Sequence, residues 1–213
     1  MAKKLAVITG ATGNQGGSIA RGLLKSGDWQ IRAVTRNPSG EKAQKLTAEG
    51  MEVVQGSYDD EESIRKAFTV SVHCLYCFPD QQLTWRKGAQ AIFAVTQWWE
   101  PFFKGASQSE AGEIEKRDGI MLARLAAEVK TLEHYIWSTL PAADEITEGK
   151  FPVPHFDYKA KVDDHIRKNM PDLAAKTTFL MFGFYPSNFA FFPMLKPQPV
   201  VSCHFQDTDC LHY

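Results

Sequence analysis

Gly10-Ala11-Thr12-Gly13-Asn14-Gln15-Gly16-Gly17 follows directly on an apolar run, Leu5-Ala6-Val7-Ile8-Thr9. Glycines at this spacing clear side chains away so that backbone amides can face a phosphate. Gly10 suits the tight turn off a strand, and Gly13 lets backbone come close to a pyrophosphate. Gly16 or Gly17 lets the next helix pack tightly on the sheet. That helix is expected to begin near Gly17-Ser18, with Ile19, Leu23 and Leu24 on its apolar face. Its N-terminal amides and positive dipole end would point at the phosphates. Glycine-rich turns are common, but a strand before and an amphipathic helix after make this a nucleotide-binding loop. The second chemically informative residue is Arg36, at the end of the strand-like run Trp29 to Thr35. An NAD site usually carries Asp or Glu there, to hold the ribose 2′-hydroxyl. A guanidinium cannot accept from a hydroxyl, but it pairs well with a 2′-phosphate. The expected cofactor is therefore NADP(H), with an exposed arginine closing a strand as the structural alternative.

Around these residues strand-like and helix-like patterns alternate. They predict an α/β fold, a doubly wound parallel sheet of Rossmann type with helices on both faces. A helix is expected over Lys42 to Gly50, with Gly50 as its cap, and a strand over Met51 to Gln55. Asp59 or Asp60 can cap a helix running through Ile64 and Phe68, and Ala91 to Thr96 reads as a buried strand. Ile114, Met121, Leu125 and Val129 mark a long helix before a strand at His134 to Ser138. Asp163 to Lys168 reads as helix and Thr177 to Met181 as a sixth strand.

Two segments break the rhythm. Thr69 to Gln90 stands where a short connection is expected, and the tail from Pro197 has no pattern. These segments hold Cys74 and Cys77 in CxxC spacing, and Cys203, His204, Cys210 and His212. The tail pairs are too irregular for a zinc spacing, so no metal site is expected.

With 213 residues and 44% hydrophobic content, the chain can bury the core of one full domain. A net charge of −1 gives no electrostatic case for binding nucleic acid or a membrane surface. Neither a bilayer-length apolar run nor a signal-peptide pattern is present. The expectation is a soluble cytoplasmic protein, with a nuclear location equally compatible. Four cysteines do not read as a disulfide framework.

Taken in order, these motifs resemble the NmrA-like family, atypical members of the short-chain dehydrogenase/reductase superfamily. The carrying segments are Val7 to Gly17, Val34-Thr35-Arg36-Asn37-Pro38 and Glu52-Val53-Val54-Gln55-Gly56. Phe93-Ala94-Val95-Thr96 followed by Trp99-Glu100 also matches, as do Pro154-His155-Phe156-Asp157-Tyr158-Lys159 and Gly183 to Phe189. The likeness implies an NADP(H)-binding Rossmann domain over residues 1–196, with an atypical insertion at 70–87 and a non-family tail at 197–213. The family's cofactor contacts fall on Gly10, Ala11, Thr12, Gly13, Asn14, Gln15, Arg36, Ser57, Tyr58, Thr96 and Lys159. They continue on Tyr185, Pro186, Ser187 and Asn188. Ser57 stands where relatives usually carry Asp near the adenine, which weakens that contact. Excising Val70 to Lys87 would join Thr69 to Gly88 as relatives read, so the insertion looks like a retained intron or a gene-model error. Relatives run on well past Lys196, in a part that builds much of the substrate side. The chain is expected to be a truncated relative with its cofactor half intact.

Carbonyl reducers of the superfamily use a Tyr-x-x-x-Lys pair, the tyrosine as proton donor and the lysine to lower its pKa and hold the ribose. Here Lys159 is the lysine and His155 stands four positions earlier. Tyr158 adjoins Lys159 and on a helix would point about 100° away. Lys159 is expected to act as a ribose clamp or a general acid or base, and His155 as a proton donor or a structural loop residue. Ser138 stands at the superfamily's catalytic serine position, or caps a helix or turn. Hydride transfer to a quinone- or enone-like acceptor needs little help from an acid. The resemblance thus implies an NADPH-dependent oxidoreductase acting on a small, conjugated, largely apolar substrate. Trp98, Trp99, Phe102 and Phe103 would line its mouth or pack on a neighbouring helix. The alternative is a non-catalytic NADP(H) redox sensor that regulates a protein partner such as a transcription factor.

Overall fold

A computed structural model describes residues 3–69, 88–186 and 188–191. Among the described residues six strands form one parallel sheet: β1 (Lys4–Ile8), β2 (Trp29–Thr35), β3 (Glu52–Gln55), β4 (Ala91–Ala94), β5 (His134–Thr139) and β6 (Thr177–Met181). Their order is β3-β2-β1-β4-β5-β6, so the direction of winding reverses between β1 and β4. In open sheets of this kind, ligands bind outside the carboxyl ends of the strands at that reversal.

The strand residues alternate strictly. Leu5, Val7, Val34, Ile92, Ala94, Tyr135 and Trp137 join one buried cluster, covered by α3 (Glu61–Thr69), α5 (Gln108–Ala127) and α7 (Pro154–Asn169). Ala6, Ile8, Ile31, Ala33 and Phe93 are buried on the opposite face. There α1 (Asn14–Ser26) and α2 (Glu41–Ala48) contribute Ala20, Ala43 and Leu46. Helix ends follow local chemistry. Asp60 Oδ1 accepts from the Ser63 amide at the start of α3. Ser107 and Glu110 form a reciprocal capping box on α5. Gly50, with φ of +92°, follows the end of α2. Shorter helices are α4 (Trp99–Phe103), α6 (Ala143–Ile146) and α8 (Pro171–Ala174).

Two expectations need correction. Helix α1 begins at Asn14 rather than near Gly17, and it buries Gly16, Gly17 and Ala20, not Ile19, Leu23 and Leu24. Residues without side chains bring the helix closest to the sheet, leaving the larger ones half-buried at its flanks. Helix α7 spans Pro154–Asn169 rather than only its last turns. Pro154 suits a first turn, where its missing N–H costs nothing. The Asp157 carboxylate then accepts from the Val153 and Asp144 amides at 2.7 and 2.9 Å. His155 therefore sits in the first turn of a helix, not in a loop.

A second compact unit begins at Phe182. Its described part holds α9 (Asn188–Phe191), an Asn188 amide donating to the Tyr185 carbonyl at 2.8 Å, and Phe184 edge-on to Phe189. The insertion at 70–87, Ser187 and the tail, with all four cysteines, lie outside the described residues.

The flanks of the insertion meet. The Ala89 amide donates to the Phe68 carbonyl at 3.0 Å. Helix α3 ends at Thr69, and Gly88 has φ of +99°. Joining Thr69 to Gly88 would put a left-handed glycine directly after the last helical residue, where helices commonly end. Deleting residues 70–87 is therefore expected to leave the fold intact and raise its stability by roughly 1 kcal/mol through a shorter closed loop. Thermal melts of the two forms test this. A deletion variant that melts lower would show that the insertion belongs to the fold.

Candidate functional site

After β1 the chain turns at Gly10, whose φ is +60°; a Cβ there would lie 2.6 Å from Val95 Cγ1. The Gly13 amide donates to the Gly10 carbonyl at 2.9 Å, and the Gly17 amide to Gly13 at 3.0 Å as α1 begins. Among the described residues no side chain caps the start of α1, so a bound anion can take that role. Thr9 ties the loop to the end of β4, its hydroxyl accepting from the Val95 amide at 2.9 Å.

The loop opens on a cleft of about 580 Å³. Gly10 and Thr12 line it, with Val34 to Asn37 at the end of β2 and Ser57 to Asp59 after β3. Glu100 and Lys104 enter from α4, and Ile114, Arg117 and Asp118 from α5. Of the expected contacts, the cleft gathers Gly10, Thr12, Arg36, Ser57 and Tyr58. Tyr58 donates to the Val95 carbonyl at 2.6 Å, and burial pushes its phenol up to about 12, so it remains a neutral donor. Ala11, Gly13, Asn14 and Gln15 are not among the lining residues. Gln15 donates to the Ser138 hydroxyl at 2.7 Å. Ser138 is buried within β5 and caps none of the described helices. Tyr185, Pro186 and Asn188 belong to the second unit.

Thr96 and Lys159 belong to a different cluster, together with Glu115, which sequence reading missed. Lys159 Nζ lies 2.8 Å from Glu115 Oε1 and donates to Thr96 Oγ1 at 2.9 Å. The Thr96 hydroxyl donates onward to the same carboxylate oxygen at 2.9 Å. Glu115 is wholly buried, and its Oε2 has no hydrogen-bond partner among the described residues. A faint signal exists in the sequence: Glu115 falls four residues after Ala111, on the face of α5 that Leu122 and Leu125 extend.

His155 precedes Lys159 by one helical turn and shares its face. Ring centroids of Trp98, Trp99 and Phe156 lie 5.5, 5.3 and 4.7 Å away. Burial pushes the imidazole pKa down, so it is neutral at pH 7. Tyr158 is committed elsewhere: its ring lies on Gly112, where a Cβ would approach to 2.2 Å, and Lys161 sits 4.1 Å over it. The aromatic group divides into a buried and an exposed part. Trp98 is buried and stacked on Phe102 at 4.7 Å, while Trp99 and Phe103 stack at 5.7 Å and are exposed.

Residues 2–204 match the model of the NmrA-like family. The NmrA-like family domain-containing oxidoreductase hkm9 of Aspergillus hancockii is 29% identical over 186 residues, 87% of this chain and 48% of its own. The oxidoreductase cpsB of Aspergillus campestris is 30% identical over 163 residues, 76% and 42% of the two chains. Among solved structures, the negative transcriptional regulator NmrA in complex with NADP superposes with a TM-score of 0.63 at 25% identity. That match covers 88% of this chain and 48% of NmrA. The Citrobacter triphenylmethane reductase complexed with NADP(H) shares the fold, with a TM-score of 0.58 at 22% identity over 87% and 51% of the two chains. The chain thus spans about half the length of these relatives. With the glycine loop at the sheet's reversal and the family pattern running through residues 2–204, the protein belongs to the NmrA-like family.

Proposed function

We propose that this chain binds NADP(H) and acts as an oxidoreductase, passing hydride to a small, conjugated, largely apolar acceptor of the quinone or enone type. One observation carries the reading: Gly10 and Thr12 of the glycine loop line a single cleft with Arg36, and that loop leads into α1, whose start no described side chain caps. The NADP-bound NmrA and the NADP(H)-bound triphenylmethane reductase support the cofactor, and the oxidoreductase relatives support the reaction class.

In this reading the loop from Gly10 to Gln15 faces the pyrophosphate, Arg36 the 2′-phosphate, and Ser57 and Tyr58 the adenosine. An ammonium has three donors. Lys159 commits two of them to Glu115 and Thr96 and turns the third to the nicotinamide ribose. Tyr185, Pro186, Ser187 and Asn188 are assigned from the family pattern. NADPH, when bound, supplies the hydride. His155, neutral among aromatic rings, donates a hydrogen bond to the acceptor oxygen as charge builds there, and the proton that completes the reduction comes from solvent. Trp99 and Phe103 present an apolar face for a conjugated ring.

Arg36→Asp is expected to weaken NADP⁺ binding by about 30- to 100-fold while leaving NAD⁺ within about threefold, because a paired phosphate becomes a repelled one. Calorimetric titration of both coenzymes checks this, and equal losses for both would remove Arg36 from the 2′-phosphate.

A second reading, a redox sensor that binds a protein partner, draws on His155 in the tyrosine's place and on the exposed Trp99 and Phe103. NADPH oxidation across a panel of quinones and enones separates the two. Tight NADPH binding without turnover above blank would defeat the enzyme and leave the sensor.

A further inference from the structure

Arg36 already has an anion. Its Nη1 lies 2.7 Å from Glu100 Oε1, and Lys104 Nζ lies 2.8 Å from the same oxygen. All three side chains line the cleft. Two cations converging on one oxygen is the arrangement that a phosphate oxygen would require. The protein fills that place with its own carboxylate. We propose that Glu100 is an internal stand-in for the coenzyme's 2′-phosphate, a competitor whose displacement from Arg36 and Lys104 sets how strongly the chain prefers the phosphorylated coenzyme.

This rests on the coenzyme reading above. It follows that Lys104 is a second 2′-phosphate cation, which the sequence pattern did not single out. Exposure favours exchange. The Arg36 and Lys104 side chains are 63% and 72% exposed and Glu100 28%, and pairs of this kind hold weakly in water. A phosphate dianion at the same distance outcompetes a single carboxylate for two cations. The hydrogen bonds from Arg36 and then Lys104 hold the Glu100 carboxyl at about 2, so it competes as an anion throughout the neutral range. The unphosphorylated coenzyme has no need to displace it.

The test is a mutant cycle read by calorimetry with NADP⁺ and NAD⁺, and with 2′,5′-ADP and 5′-AMP as fragments. Glu100→Gln is expected to tighten NADP⁺ and 2′,5′-ADP by about three- to tenfold, leaving NAD⁺ and 5′-AMP within about twofold. In an Arg36→Ala background most of that gain should vanish, because the competitor acts through the guanidinium. Lys104→Gln should weaken 2′,5′-ADP and not 5′-AMP. If wild type binds NADP⁺ but Glu100→Gln leaves the NADP⁺/NAD⁺ ratio unchanged, or the full gain survives without Arg36, the stand-in role is wrong and the coenzyme reading stands. If wild type binds neither coenzyme, both fall together.

Discussion

Gly16→Ala is expected to weaken NADP⁺ and NAD⁺ alike by roughly fiftyfold, the equivalent of about 2–3 kcal/mol of lost amide–phosphate hydrogen bonding. A Cβ at this position would lie 2.5 Å from the Gly10 carbonyl oxygen, 2.7 Å from its carbon and 2.9 Å from the Thr9 oxygen. All three are backbone atoms, so no side chain can rotate away. The start of α1 must withdraw from the loop, and the amides it presents lose their aim. Crowding of this kind also destabilises the fold, by about 1–3 kcal/mol. Gly22 is the control. It lies in the same helix with nothing within 4 Å of its Cβ direction, so Gly22→Ala should stabilise by about 0.5–1 kcal/mol through helix propensity alone. Calorimetry gives the affinities, and urea unfolding gives the stabilities. Unchanged affinity in Gly16→Ala would mean that this loop does not grip the pyrophosphate.

That contrast between two glycines shows where sequence reading reaches and where it stops. Strand β2 is expected over Trp29 to Thr35 and lies there, because a short run holding Ile31, Val34 and Thr35 is bounded by Gly27-Asp28 on one side and Asn37-Pro38 on the other. Gly10 was legible for the same reason: a tight turn after an apolar strand has few solutions. The start of α1 was not. Glycine propensity argues that the helix should wait until after Gly17, yet close packing on the sheet requires glycine inside its first turn. Helix α4 carries Pro101 and four aromatic residues in and beside it, with no apolar period to betray it. The first turns of α7 were hidden by Pro152 and Pro154, which punctuate a loop as readily as they open a helix. The ionic partners were the least legible. Glu100 meets Arg36 across 64 residues and Glu115 meets Lys159 across 44. Nothing in either neighbourhood names a partner that only the fold brings near. From the sequence Arg36 reads as a partner for a phosphate; in the fold its partner is the Glu100 carboxylate.

Glu115→Ala is expected to cost about 3–5 kcal/mol of stability, lowering Tm by about 6–20 °C, because it strands a buried ammonium without its counter-charge. Glu115 sits on α5, Lys159 on α7, and Thr96 follows β4, so the three groups pin two helices to the sheet's carboxyl end. The loss would be a penalty for breaking the pair rather than a measure of its worth. Replacing both partners by apolar residues of similar volume is often neutral or stabilising. The double variant Glu115→Leu with Lys159→Met should therefore recover most of the wild-type Tm. It should not recover function. With the ammonium gone, the ribose loses a charge-assisted hydrogen bond worth about 1.5–3 kcal/mol, and coenzyme affinity should fall by roughly tenfold or more. Thermal melts follow the first effect and calorimetry the second, which separates holding the helices together from holding the coenzyme. A double variant that is stable and binds NADP⁺ at full strength would confine Lys159 to architecture. A single Glu115→Ala variant as stable as wild type would show that the buried pair secures neither helix.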